Sequence, residues 1–371
     1  WGESNSLFQE RLPYFYFIHF CYLVTHLIKS YSLIKTFVNT DFHKGFVISN
    51  QSFSMVRLLS STILLFATLF CLHFFMNKQE KLMEIEVSDW SLEESQIKLG
   101  KEPTAHRIEV LDESKAKLGE DLILKGQVDK GLFKSKLISP YFTCVDCHNL
   151  KKEFDKPTEN SPEIRLEYSI KNDLPFLPGS TFWGIYNRRS WYNGDYVKKY
   201  GEVISKAKNS LPEAIQVCAK YCSAGRFLED WEVEAIMHYY KKNELKLKDL
   251  ELDGNTKKNL MKWEQLDKKE KELLNDRLEG SMVRAYNATF LETKPRDDRT
   301  YGASGDAKKG KEIFERACLY CHLDGRVTNL KISSNELTAK YFIKNLTNYS
   351  DLSIYQIIRH GTYTMAGRNQ Y

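Results

Sequence analysis

Long runs of alternating apolar and polar residues are missing from this 371-residue chain, which sets aside a β-rich fold. Excess charge of one sign is scarce as well. The net charge is only +5, and no basic cluster is interleaved with aromatics, so nucleic acid is not an expected partner. Cysteine outside two short motifs is sparse. Of eight cysteines, four fall in those motifs, Cys21 and Cys71 sit in apolar N-terminal segments, and Cys218 and Cys222 remain. That is not the framework of a secreted disulfide scaffold. Methionine and histidine are absent altogether between His148 and Asp230.

What is present is more decisive. Cys144-Val145-Asp146-Cys147-His148 and Cys318-Leu319-Tyr320-Cys321-His322 both read Cys-x-x-Cys-His. This spacing is the attachment signature of c-type haem. Two thiols add to the vinyl groups, and the adjacent histidine supplies an axial nitrogen to the iron. Chance would supply about 0.004 such matches in a chain of this composition. A zinc site would want its cysteine pairs about 15–20 residues apart, and these pairs lie more than 170 apart. Two covalently bound haem c groups are therefore expected. Cys144, Cys147, Cys318 and Cys321 would be the tethers, with His148 and His322 as proximal ligands.

The N-terminus has its own pattern. Residues 1–54 are rich in aromatic and apolar residues and open on Trp1 rather than Met. They read as an apolar, aromatic leader or as untranslated sequence read in frame. Met55-Val56-Arg57 then precedes an uncharged apolar run over 58–76. A positive flank and an apolar core make 55–77 a signal peptide or membrane anchor, and nineteen residues are just enough to span a bilayer. No Ala-x-Ala site follows, which favours an uncleaved anchor. Cys71 raises the alternative of a lipoprotein, but Phe70 before it is bulky. Bacteria attach haem to this motif outside the cytoplasm. The expected location is thus the periplasmic side of the inner membrane, or the periplasm itself if the segment is cleaved.

Beyond the anchor, residues 78–111 read as a polar tether. Residues 112–250 read as a first haem domain, with helices expected over 115–126 and 230–240. A highly charged stretch, 251–303, reads as a solvated helix and linker. Residues 304–371 repeat the order helix, motif, loop, and read as a second domain cut off before its closing helix. The expected fold is mostly α: two haem domains in tandem behind an N-terminal apolar helix.

The distal ligands are less determined. For the second haem the candidates are Met365 and His360. For the first, the absence of Met and His after His148 turns attention to Cys218 and Cys222. Ser210-Leu211-Pro212-Glu213 has capping-box spacing, so a helix should start there and carry both thiols four residues apart on one face. Thiolate donation lowers a haem potential and thioether ligation raises it. Met237 and His238 on the closing helix are alternatives, although core packing is their commoner role.

Both halves resemble cytochrome c domains. More narrowly, Ala214-Ile215-Gln216-Val217-Cys218, Ala224-Gly225-Arg226-Phe227-Leu228 and Trp231 to Tyr240 are similar to thiosulfate dehydrogenases and to the A subunit of sulfur-oxidising cytochrome complexes. That resemblance covers about residues 115–245. It implies a cysteine at Cys218 as distal ligand of a catalytic haem. Cys222 has no counterpart in it, and the second half looks like a small electron-transfer cytochrome. The leading expectation is a periplasmic, membrane-tethered dihaem cytochrome c that transfers electrons to redox partner proteins of the periplasm or respiratory chain. A thiosulfate-oxidising enzyme built around Cys218 is the alternative. Dihaem peroxidases share the two motifs at a comparable interval but not their longer loop signatures, and an assembly subunit of a respiratory complex also fits the tether. Lys151, Lys152, Lys308, Lys309 and Lys311 either steer an acidic partner or serve solubility.

Overall fold

The computed structural model describes residues 50–157, 161–282 and 304–323, with short pieces at 287–288, 327, 338–345 and 358. The chain divides into two units, Trp1–Gln79 and Glu80–Tyr371. Most of the leader expected over 1–54 lies outside the described residues. What is described of the first unit is helical and belongs to α1 (Asn50–Asp89). Over Ser61–Asp89 this helix is long and apolar enough to cross a membrane. Its side chains at Phe66, Leu69 and Phe70 are exposed.

The second unit is mostly helical. Its strands are two-residue pairs, Asp129–Lys130 with Phe133–Lys134 and Asn193–Gly194 with Asn287–Ala288. After α2 (Leu92–Lys98) comes α3 (Glu113–Lys125), close to the helix expected from sequence. Asp112 caps it by accepting from the amides of Ser114 and Lys115 at 2.9 and 3.1 Å. Gly126 ends it in the left-handed conformation at φ 70°, where a side chain would be strained. Then follow α4 (Pro162–Lys171), α5 (Leu211–Val217) and α6 (Asp230–Lys242).

Helices α3 and α6 cross at Gly119. A Cβ there would overlap the carbonyl of Ala235, so glycine lets the two backbones meet. Leu122, Ile123, Leu211, Val217 and Ile236 pack around this crossing. Leu122, Ile123, Leu211 and Ile236 are almost wholly inaccessible to water, and each such side chain contributes about 1.5–3 kcal/mol relative to exposure.

A second core gathers residues expected to act only as tether and linker. Leu92 and Leu99 meet Leu260 of α7 (Gly254–Met261) and Leu274 and Leu278 of α8 (Lys268–Gly280). The main chain joins them: the amide of Leu92 donates to Leu245 O at 2.7 Å, and that of Leu247 to Trp90 O at 3.0 Å. Few apolar residues are needed, because Leu274 and Leu278 stand four apart on one helix face. The charged residues between them cover the outside. Past this core the chain reaches α9 (Ala307–Ile313).

Candidate haem site

The first pentapeptide is wound into a tight turn. Thr143 opens it, with its amide and hydroxyl both donating to Asp146 Oδ2 at 2.6 and 2.9 Å. The amides of Cys147 and His148 donate back to Cys144 O at 3.2 and 3.0 Å. This winding brings the two thiols and the imidazole onto one short stretch of surface.

His148 is oriented from behind. Its Nδ1–H donates to Ser180 O at 2.6 Å. A carbonyl only accepts, so the proton sits on Nδ1 and Nε2 carries the lone pair, the tautomer that a metal ligand requires. The ring stacks on Phe182 with centroids 4.4 Å apart. Gly179 completes the cradle, since a Cβ there would overlap the imidazole. Burial, assisted by the fields of Arg188 and Arg165, pushes the imidazole down to about 4 against the pull of the Ser180 bond. It is neutral at physiological pH.

A buried polar scaffold holds the 175–183 loop. Glu153 pairs with Arg165 at 3.2 Å, and the same guanidinium donates to Leu177 O and Gly179 O at 3.2 Å each. Arg188 donates to Thr181 O at 2.6 Å and to Ser180 Oγ at 3.2 Å. Asn149, next to His148, donates to Glu153 at 2.7 Å and Pro175 O at 3.1 Å. None of these residues stood out in the sequence. The one local signal was Pro178-Gly179, a turn dipeptide.

The expected helix at Ser210 forms, with Ser210 Oγ accepting from the amide of Glu213 at 3.4 Å. After Val217 it widens into a π-turn over Cys218–Cys222. That turn places Cys218 Sγ 3.9 Å from His148 Nε2. If haem is attached at Cys144 and Cys147, these are the two groups on hand to ligate its iron. Its hydrogen bond to Cys222, together with burial, pushes the Cys218 thiol well up, and burial pushes Cys144 up to about 12. Both are neutral thiols here, and coordination would itself deprotonate a ligating thiol. Among the described residues no group of three or more His, Cys, Asp and Glu side chains is arranged to hold a bare metal ion.

The alternatives on the closing helix have other work. Met237 is buried in the core, and His238 Nδ1 accepts from the amide of Asp112 at 3.1 Å, fastening the start of α3. Cys222 lies beside Cys218, with Tyr192 Oη 3.8 Å from its sulfur.

The second pentapeptide follows α9 through a π-turn over Phe314–Cys318 and a helical turn over Leu319–His322. Ala317 is buried. Arg316 fastens this stretch to the loop after α4: Phe176 N donates to Arg316 O at 3.2 Å, and Arg316 Nη1 donates to Leu174 O at 3.1 Å. Met365 and His360, its distal candidates, lie outside the described residues. Of the lysines near the motifs, Lys152 pairs with Glu251 at 3.1 Å and Lys311 with Glu315 at 3.8 Å, which offsets part of their charge.

Residues 305–370, which include the second pentapeptide, match the family described as Cytochrome C oxidase, cbb3-type, subunit III. That stretch is similar to a cytochrome c domain, and the match supports haem binding and electron transfer there. No curated protein and no solved structure matches the chain.

Proposed function

We propose that this protein is a dihaem c-type cytochrome, tethered by the apolar helix and working on the periplasmic face, that passes electrons between two haems and onward to a partner. The first haem would be tethered by Cys144 and Cys147 and held between His148 and Cys218. The second would be tethered by Cys318 and Cys321 on His322, with Met365 as its distal candidate. The observation that carries the reading is the opposition of Cys218 Sγ and His148 Nε2 at 3.9 Å, directly beside a haem-attachment pentapeptide. Bound haem c supplies one-electron exchange; the chain supplies ligands, orientation and burial. Unequal distal ligands would set the two sites at different potentials and give electron flow a direction.

The route between them is short in bonds. Asn149 Nδ2 donates to Pro175 O at 3.1 Å, and the next residue, Phe176, donates its amide to Arg316 O at 3.2 Å. A single peptide group, the Pro175–Phe176 link, thus separates His148's neighbour from the segment entering Cys318, apart from the two hydrogen bonds.

The test is expression in a bacterium competent in cytochrome maturation, followed by denaturation and mass measurement. Two covalent haems are expected, and one in a Cys144→Ala/Cys147→Ala variant. A colourless chain of unaltered mass would end this reading. The Cys218 geometry also favours a second reading, oxidation of thiosulfate at the first haem. Thiosulfate added to oxidised protein would then reduce it, and a Cys218→Ala variant would stay oxidised.

A further inference from the structure

Cys222 has no task in the reading above, yet its surroundings are built. In an α-helix residues four apart are offset around the axis; the wider π-turn over Cys218–Cys222 brings them closer to one line. The turn is closed by the amide of Ser223 donating to Cys218 O at 3.0 Å. Three groups converge on Cys222 Sγ: the Cys218 thiol, the Tyr200 hydroxyl and the Tyr192 hydroxyl, the last at 3.8 Å. Tyr192 holds its place at φ 53°, a conformation that costs a bulky residue about 1–3 kcal/mol. Its ring is fixed edge-on against Tyr196 and Tyr200, with centroids 5.1 and 6.5 Å away.

With the ring proton of His148 on Nδ1, Nε2 accepts, and the single Cys218 proton points to it. As a thiolate on a metal, Cys218 would have no proton to give at all. Cys222 S–H is then the donor, its own sulfur accepting from the two phenols. Hydrogen bonds to a ligating sulfur draw electron density away from the metal and tune its potential.

We propose that Cys222 is a positioning residue for the distal ligand of the first haem: its thiol donates to Cys218 Sγ and, backed by Tyr192 and Tyr200, limits how strongly that sulfur donates to iron. This rests on Cys218 being the distal ligand. The result is a sulfur-ligated haem with a higher potential than an unassisted thiolate would give. It brings the first site nearer to the second and eases transfer between them.

The experiment uses the full chain carrying haem, titrated spectroelectrochemically, with the thiolate-dependent ferric bands marking the first site. Cys222→Ala is expected to lower that site's potential and shift those bands. Cys222→Ser keeps a donor at nearly the same place and should stay close to the parent. Tyr200→Phe should shift the potential in the same direction by less, and it serves as the readout if the Cys222 variants lose haem. Equal shifts in Cys222→Ala and Cys222→Ser, or no shift in Cys222→Ala and Tyr200→Phe, would overturn the assignment. Cys218→Ala separates the two layers. If it leaves the ferric bands unaltered, the ligand reading itself has failed. If it abolishes them while Cys222→Ala changes nothing, only the role given to Cys222 falls.

Discussion

At the scale of the residue, the site depends on one hydrogen bond and one missing side chain. The bond from His148 Nδ1 to Ser180 O fixes the tautomer, and Gly179 leaves room for the ring. Gly179→Ala is expected to displace the imidazole, costing about 1–3 kcal/mol by overpacking. Thermal unfolding and the haem content of the purified chain would both register it. His106 offers a pH-dependent counterpart away from the motifs. Its Nε2–H donates to Tyr186 O at 2.8 Å, and its ring stands edge-on to Tyr186 and Trp191. Burial lowers its pKa below the usual histidine value. As pH falls through about 6.5, the unfolded chain takes up this proton before the folded one does. Stability should therefore decline toward acid on account of His106 and be flat, on its account, well above that value. Denaturant titrations at several pH values would show the slope, and His106→Gln should reduce it. The sequence drew attention to Cys144–His148 and to Cys218, which the structure brings together. Covalent attachment needs contiguous spacing, so both pentapeptides stand in the sequence, and the shortage of Met and His singled out Cys218. Gly179, Ser180, Glu153 and Arg165 did not stand out, because their roles arise where separate stretches of chain meet.

At the scale of the element, the crossing of α3 and α6 organises the first core. Gly119→Val would push the helices apart against the Ala235 carbonyl. A loss of about 3 kcal/mol or more is expected, since the obstacle is backbone and cannot rotate away; the midpoint of denaturant unfolding would report it. Both helices were legible from their apolar spacing, and Gly126 marked the end of one. The π-turn was not, because widening of a helix by one residue leaves no mark in apolar periodicity over so short a span. Nor was the second core. Leu92 and Leu99 look isolated among polar neighbours, and so do Leu274 and Leu278. Only their meeting, 175 or more positions away along the chain, turns them into an interior.

At the scale of the whole molecule, Arg316 ties the cytochrome c domain to the loop that follows α4. Its contact with Asp173 spans 3.5 Å at a fully exposed carboxylate, and such pairs are worth about 0–1 kcal/mol. Arg316→Ala should therefore hardly change the unfolding midpoint. It should also leave electron equilibration between the two proposed haems, measured after rapid photoreduction, near the parent rate, because the Phe176 amide still meets the main-chain oxygen of residue 316. A large loss of rate would show that the guanidinium, and not the main chain, sets their coupling. The five residues from Asp173 to Leu177 grip Asn149 and Arg165 on one side and Arg316 on the other, largely through main-chain atoms. Main-chain grips ignore side-chain identity. The spacing between the two pentapeptides is thereby insulated from drift at those five positions, yet it is brittle to a change in their number: lengthening the loop by a single residue would loosen both attachments in one stroke.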